Sequence, residues 1–404
     1  MEIDFRNSFI PQASMVNADT FSQFYPIINQ YMMQNCKLEP SRDGEVREML
    51  DFRTHITNPY RRCVGGYGRD INVFFLLAEA MWIACGRKDV AFLTLFNKQM
   101  AEYSDNGKVF HAPYGYRLRH WGIESESEFA DPSIENRGFD QVVNAIRILS
   151  KNPNTRQVVM EIWNPKFDLG QVTKDLPCND IVMLKIRDGK LITTIGNRSN
   201  DLHWGLPTNV FQFSFLSELI ALSLGVELGT QTHNSQSLHI YSWNKVAENM
   251  LRNYSSGEKN ELYGDYGARE VHIDFKFDSV LAANRFGEIE VVMNLILSNL
   301  ERIAAGEKEN EPEIAMIEER SLYFYKVYKF LKIYLEYKEK LHYCKTDEEK
   351  DIARLTAIGE IRLCETKNPY FNGERAWDIY ALALNFFYAR LSEVDDPQRV
   401  IGTL

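Results

Sequence analysis

The six cysteines of this 404-residue chain form no Cys-x-x-Cys pair, and no histidine stands at metal-ligand spacing from them. That scatter argues against a disulfide framework and against a zinc site, and it fits a reducing compartment. Long apolar runs are missing too. No stretch reaches the roughly 20 residues that a membrane-spanning helix needs. The opening residues MEIDFRNSFIPQ have neither the basic start nor the apolar stretch of a signal peptide. The expectation is therefore a cytoplasmic protein that neither crosses nor coats a membrane. Positive charge is in deficit, with 46 Lys and Arg against 56 Asp and Glu and a net charge of −10. A general nucleic-acid surface needs clustered cations, so it is excluded, while one small phosphorylated ligand held by a few arginines is not. Internal repeats are absent.

What is present is an ordinary globular composition, 45% hydrophobic and 25% charged, in a chain long enough for one large domain with an appendage or for two domains. Residues 1–40 are aromatic without a clear period. NVFFLLAEAMWIAC (72–85) reads as a mostly buried helix carrying one carboxylate, Glu79. Residues 100–137 hold Gly, Pro, Asn and Ser clusters and read as long loops. FDQVVNAIRILSKNPNTR reads as an amphipathic helix entering a turn, and RQVVMEIWNP as a strand ended by Asn-Pro. IVMLKIRDGKLITTIGNRS is a β-hairpin by its alternation, with Asp188-Gly189 at the turn. TNVFQFSFLSELIALSLG is an apolar helix that stops at Gly225, and SQSLHIYSW is a further strand. Beyond about residue 300 the character changes. GEKENEPEIAMIEE reads as a linker or a solvated helix start, and ERSLYFYKVYKFLKIYLEYKEKL is aromatic-rich with lysines at helical spacing. Residues 301–404 are expected to be a helical C-terminal extension.

Cys178 follows Pro177 in DLPCNDIV. Alone it signals little, because a free cysteine usually behaves as a small buried hydrophobe. Twenty residues on, GNRSNDLHWGLPTN gathers Arg198, Ser199, Asp201, Gly205 and Asn209 immediately before the apolar helix. An arginine and a serine at a strand end can hold a phosphate, since the guanidinium offers a rigid fork of donors. A polar turn with surface charges is the plain alternative for that segment taken alone.

Read together, LPCND, NRSNDLHWGLPTN and SLHIYSW resemble the thymidylate synthase and deoxypyrimidylate hydroxymethylase superfamily. AEAMWIACGRKD, APYGYRLR and TRQVVMEIWNP look like three further family segments, in the family order, so the resemblance covers roughly residues 40–245. It implies an α/β (α+β) fold, a mixed sheet covered by helices, within a catalytic domain of residues 1–300 ahead of the extension. The implied partners are a pyrimidine nucleotide monophosphate and 5,10-methylenetetrahydrofolate as co-substrate, with no metal, in a homodimer packed sheet against sheet.

Position by position, the resemblance implies that the Cys178 thiolate adds to C6 of the pyrimidine and turns C5 into a carbon nucleophile, with Arg198 lowering the thiol pKa. Arg42, Arg198 and Ser199 hold the 5′-phosphate, and Arg156 reaches the same phosphate in the other subunit. His239 and Tyr241 hold the sugar hydroxyl. Glu79 organises water and proton movement at O4, and Tyr114 assists loss of the C5 proton. Asp201, also placed among the catalytic groups, lines the folate side with Trp204 and Gly205. Asn209 reads the base: a carboxamide accepts from uracil N3–H and donates to O4, a pattern that cytosine reverses. The expected substrate is therefore dUMP before dCMP, and the expected product is dTMP. The alternative is a 5-hydroxymethyl nucleotide, because both reactions pass through one exocyclic methylene on C5, reduced by hydride in one and attacked by water in the other.

Four departures from the family pattern bear on that choice. Asn179 stands where the family usually has a histidine, and Gln157 replaces the second arginine of a pair. The tryptophans that wall the folate have no evident counterpart in NKQMAEYSDNG, and a long extension ending RVIGTL replaces a short closing tail. A different class of answer is a non-catalytic nucleotide-binding module whose functional part is the extension. Blocking Cys178 with a thiol reagent separates the two. An enzyme loses all turnover, whereas a binding module keeps its nucleotide affinity and has no turnover to lose.

Overall fold

Alternation and turn chemistry build one eight-stranded sheet from strands between Met15 and Tyr241, and the apolar runs become the helices that cover it. The computed structural model describes residues 15–63, 71–123, 138–255, 272–366 and positions 383, 386, 387, 390 and 391; the terminal RVIGTL lies outside them. In chain order the elements begin with β1 (Met15–Ala18), α1 (Phe21–Asn35), β2 (Leu38–Ser41) and β3 (Gly44–Ile56). Next come α2 (Val73–Ala84), α3 (Val90–Phe96), a 3-10 turn (Lys98–Tyr103), α4 (Tyr114–Arg119) and α5 (Gln141–Lys151). They are followed by β4 (Val158–Glu161), α6 (Pro165–Asp168), β5 (Asn179–Arg187), β6 (Lys190–Asn197) and β7 (Asn200–Asp201). The rest is α7 (Gly205–Leu224), β8 (Glu227–Tyr241), α8 (Lys245–Ser255), α9 (Ala282–Ala304), α10 (Glu311–Arg320), α11 (Leu322–Tyr343) and α12 (Asp347–Thr366). No described helix is long and apolar enough to cross a membrane.

The sheet runs β1-β3-β8-β6-β5-β4, with β2 paired to β3 and β7 to β8. It is mixed: β8 lies antiparallel to β3 and parallel to both β6 and β7. Parallel neighbours need a crossover, and α7 supplies it between β7 and β8. The expected hairpin is β5–β6, and Asp188 and Gly189 take φ of 52° and 73°, the left-handed pair that a two-residue turn requires. Helix α7 is buried along nearly its whole length and ends at Gly225, φ 71°. Sheet and helices share one apolar core that runs from Val16 to the aromatic residues of α11.

Two regions differ from the sequence reading. Residues 21–35 form a helix in spite of Pro26, because Thr20 and Gln23 make a capping box and Phe21, Phe24, Tyr25 and Ile28 are all buried. Within 100–123, read as loop, lie the end of the 3-10 turn and helix α4. Gly115 is what lets α4 lie on α2, since a Cβ there would sit 2.0 Å from the Ile83 carbonyl oxygen.

Helix α9 runs unbroken through residue 300. Of the two readings for GEKENEPEIAMIEE, a linker or a solvated helix start, the structure has the helix: α10 begins at Glu311 and buries Ile314 and Ile317. The aromatic stripe of α11 faces the core: Tyr334 stacks on Phe74 of α2 with centroids 4.6 Å apart, and its hydroxyl donates to the Phe96 carbonyl at 3.1 Å. Lys338 donates to the Leu95 carbonyl at 2.6 Å. The extension thus braces α2 and α3 from behind.

Deep in the core Arg62 pairs with Glu218 of α7, each side chain 4–5% exposed, and Glu218 also accepts the Ile273 N–H at 2.6 Å. Truncating one partner strands the other charge away from water. Arg62→Ala should therefore cost about 3–5 kcal/mol in urea unfolding, and Arg62→Met with Glu218→Met should recover part of that loss.

Candidate active site

The ends of β6, β7 and β8, the start of α7 and one face of α2 converge on a cleft of about 400 Å³. Its lining includes Arg42, Glu79, Tyr114, Cys178, Arg198, Ser199, Asp201, Trp204, Gly205, Asn209, His239 and Tyr241. These are all the expected site residues but one. Arg156 lies outside the lining and is exposed, in the segment before β4.

Cys178 stands just ahead of β5. Its N–H donates to the Tyr114 hydroxyl at 3.4 Å, and the Arg198 Nη2 lies 3.9 Å from its sulfur. Arg198 is fixed by the Pro177 and Leu176 carbonyls at 2.8 and 3.1 Å, and its guanidinium lies over the Trp163 ring at 5.7 Å. Arg198 acts on the thiol in the expected direction, lowering its pKa, but burial has the larger effect. Burial pushes the Cys178 thiol above its ordinary value, and the Arg198 charge offsets only part of the rise. Burial likewise lifts the Glu79 carboxyl to about 8, opposed by a hydrogen bond from the Gln212 amide. The Tyr114 hydroxyl is pushed up by burial and then by its proximity to Cys178 and Asp175.

Asn209 is held at both ends of its carboxamide. Its oxygen accepts from Asn179 at 3.0 Å, and its nitrogen donates to Asn200 at 3.2 Å. Asn179 accepts in turn from Asn197, and Asn200 donates to Ser235 at 3.2 Å. A Cβ at Gly205 would come within 3.0 Å of the Asn200 side-chain oxygen, so glycine at the head of α7 keeps this chain of amides intact. Asp201 lies opposite His239 in the β7–β8 pairing and accepts the N–H groups of His203 and Trp204, which closes the turn that leads into α7. His203 is wedged between the Tyr25 hydroxyl at 2.7 Å and Asn29 at 3.0 Å, so α1 holds that turn in place.

The lining carries the cations Arg198, Lys174 and Arg42, the last 76% exposed in the β2–β3 turn, and an apolar slot of Trp82, Met100, Tyr103, Phe110 and Trp204. The stretch NKQMAEYSDNG brings no tryptophan, as read from the sequence, but it contributes Met100 and Tyr103, and Trp82 of α2 joins the expected Trp204. Among the described residues none beyond Tyr241 lines the cleft. Lys174 and Asp175 also line it and were not singled out from the sequence. Their one signal was position, directly before Leu-Pro-Cys. No group of three metal-ligating side chains occurs among the described residues.

Four matches to known proteins bear on this site. A family model described as thymidylate synthase matches residues 68–281. The chain is 40% identical over 222 residues to the deoxyuridylate hydroxymethyltransferase of Bacillus phage SP01, which covers 54% of this chain and 57% of that protein. It is 39% identical over 212 residues to the deoxyuridylate hydroxymethyltransferase of Pseudomonas phage M6, covering 51% and 56%. It is also 34% identical over 128 residues to thymidylate synthase 1/2 of Encephalitozoon cuniculi, covering 32% and 42%. The matched segment spans little more than half the length of these phage relatives.

The raised Glu79 carboxyl has a consequence for stability. In the native state it keeps its proton to about pH 8, whereas in the unfolded chain it ionises near its ordinary 4.5, so its burial costs stability progressively as pH rises between those values. Glu79→Gln should therefore match the wild type in urea unfolding at pH 4, exceed it increasingly toward pH 8, and lose turnover at every pH.

Proposed function

This chain belongs to the thymidylate synthase family, and from that premise we propose that it transfers a one-carbon unit from methylenetetrahydrofolate to C5 of dUMP and releases the 5-hydroxymethyl nucleotide. The observation that carries the transfer is the meeting of Cys178, Arg198, Glu79, Tyr114 and Asn209 in one cleft. Water is favoured over hydride as the last reactant by the polar side chains of Lys174 and Asp175, which line the cleft just ahead of the nucleophile. The phage relatives' names favour the same ending.

In this reading Arg42, Arg198 and Ser199 bind the 5′-phosphate, and the phosphate charge fixes the nucleotide with C6 over the Cys178 sulfur. An exposed Arg156 from a second copy of the chain completes the phosphate site in a homodimer. The Asn209 amide, held in one orientation by Asn179 and Asn200, accepts from uracil N3–H and donates to O4. Mispairing with cytosine leaves buried polar groups unsatisfied at about 1–3 kcal/mol each. The Cys178 thiol gives up its proton and its sulfur adds to C6. Glu79, protonated at neutral pH, stabilises the negative charge that develops on O4. The apolar slot suits the flat ring system of the folate, which supplies the one-carbon unit when bound. Tyr114, stacked on Phe213 at 6.4 Å, is placed to assist departure of the C5 proton.

A second reading, methylation to dTMP, is favoured by the Trp82, Tyr103 and Trp204 walls, which would exclude water from the slot. One assay separates the readings. The protein is incubated with methylenetetrahydrofolate and either dUMP or dCMP, and product mass and folate oxidation are read together. The expected outcome is 5-hydroxymethyl-dUMP with tetrahydrofolate and no product from dCMP. Thymidylate with dihydrofolate would establish the second reading. Absence of product from both bases would overturn the enzymatic proposal.

A further inference from the structure

Asp175 is a titratable group in the cleft for which the steps above have no task. It lies three residues before the nucleophile, half-buried, and lines the same cleft as Cys178, Tyr114 and Trp204. Its Oδ2 accepts the Ala112 N–H at 2.9 Å, so a backbone bond holds the carboxylate without neutralising it. It lies close enough to Tyr114 and Cys178 to shift both electrostatically, which puts it at the reacting end of the cleft. The other acids of the lining have fixed partners: Asp43 pairs with Arg42, Glu79 accepts from Gln212, and Asp201 accepts the His203 and Trp204 N–H groups.

We propose that Asp175 is the general base of the water step, taking a proton from the water that attacks the methylene carbon on C5 while Cys178 still holds C6. The inference rests on the hydroxymethyl reading. The step balances without any redox partner. The water oxygen bonds to the methylene carbon, its proton passes to Asp175, and the C5=CH₂ electron pair moves onto C5 and O4. The pair then returns to form C5=C6 as the C6–S bond breaks and the Cys178 thiolate leaves. A carboxylate suits this role if it can take a proton near neutral pH. Burial holds the Asp175 carboxyl up at about 7, against lowering contributions from the Ala112 N–H, His111 and Arg117, while Asp105 adds to the rise.

The experiment uses the full chain in single turnover, with dUMP tritiated at C5 and methylenetetrahydrofolate. Tritium leaves when the methylene forms, before water attacks, so tritium release and hydroxymethyl product time two different steps. Asp175→Asn keeps an oxygen for the Ala112 N–H but cannot act as a base at neutral pH. In that variant tritium release should stay within about threefold of wild type, while hydroxymethyl formation falls by about 10²-fold or more. An added thiol such as mercaptoethanol, a nucleophile that needs no base, should intercept the methylene and restore release of a C5-substituted nucleotide. In the wild type the water step should rise with pH to a plateau above about 7, and in Asp175→Asn that rise should vanish. His111, Arg117, Asp105, Tyr114 and Cys178 surround the group in both proteins, so the difference between the profiles isolates Asp175. Hydroxymethyl formation at the wild-type rate in Asp175→Asn would overturn the inference. An equal loss of tritium release and product would also overturn it, by placing Asp175 in an earlier step. Thymidylate from the wild-type protein overturns the reading beneath it instead, and that arm is read independently of the variant.

Discussion

A line of side-chain amides runs beneath the cleft from Asn197 through Asn179 and Asn209 to Asn200 and on to the Ser235 hydroxyl. All five residues are buried, so each amide left without its partner would carry a desolvation penalty of about 1–3 kcal/mol. The cost of breaking any link ties together β5, β6, β7, α7 and β8, the five elements that contribute these residues. The same bonds decide which way the Asn209 carboxamide faces in the cleft. In the proposed function, stability and base recognition would rest on one set of hydrogen bonds. Gly205 belongs to the same constraint, since the Asn200 side chain takes the space where any other residue would put its Cβ.

Above that line the cleft is arranged to keep protons. Burial raises the Cys178 thiol, the Glu79 carboxyl and the Asp175 carboxyl together, and Arg198 opposes the rise only for the sulfur and its neighbour Asp180. Such groups suit a reaction that moves protons on and off a ring near neutral pH better than one needing only a fixed charge. At the thiol, burial outweighs the Arg198 charge. The Leu176 and Pro177 carbonyls hold the guanidinium 3.9 Å from the sulfur.

The C-terminal helices act on this cleft at second hand. Stacking of Tyr334 on Phe74 and the bonds from Tyr334 and Lys338 to the end of α3 fix α2 and α3 from behind. Helix α2 presents Glu79 and Trp82 to the cleft on its other face. The described helices of the extension thus support that wall from outside, and the aromatic stripe read from its sequence is a packing surface.

Much of the site was legible in the sequence because its motifs are local. The Asp188-Gly189 turn, the stop at Gly225, the Asn72–Cys85 helix and the Pro-Cys and Arg-Ser segments each depend on neighbours a few residues away, where periodicity and turn chemistry act directly. Helix α1 was missed because its apolar face shows its purpose only against the core that covers it, and α4 because its glycine is a packing device and not a turn. The amide line joins Asn179 to Asn209 and Asn200 to Ser235 across 30 and 35 residues, and no local pattern announces such a bond. Asp175 shows the division most clearly. Sequence put a carboxylate three residues before a cysteine. Only the fold buried it in the same cleft, raised its affinity for a proton and pointed the chain's chemistry toward it, because burial and the direction of neighbouring charges are properties of packed surfaces and not of residue order.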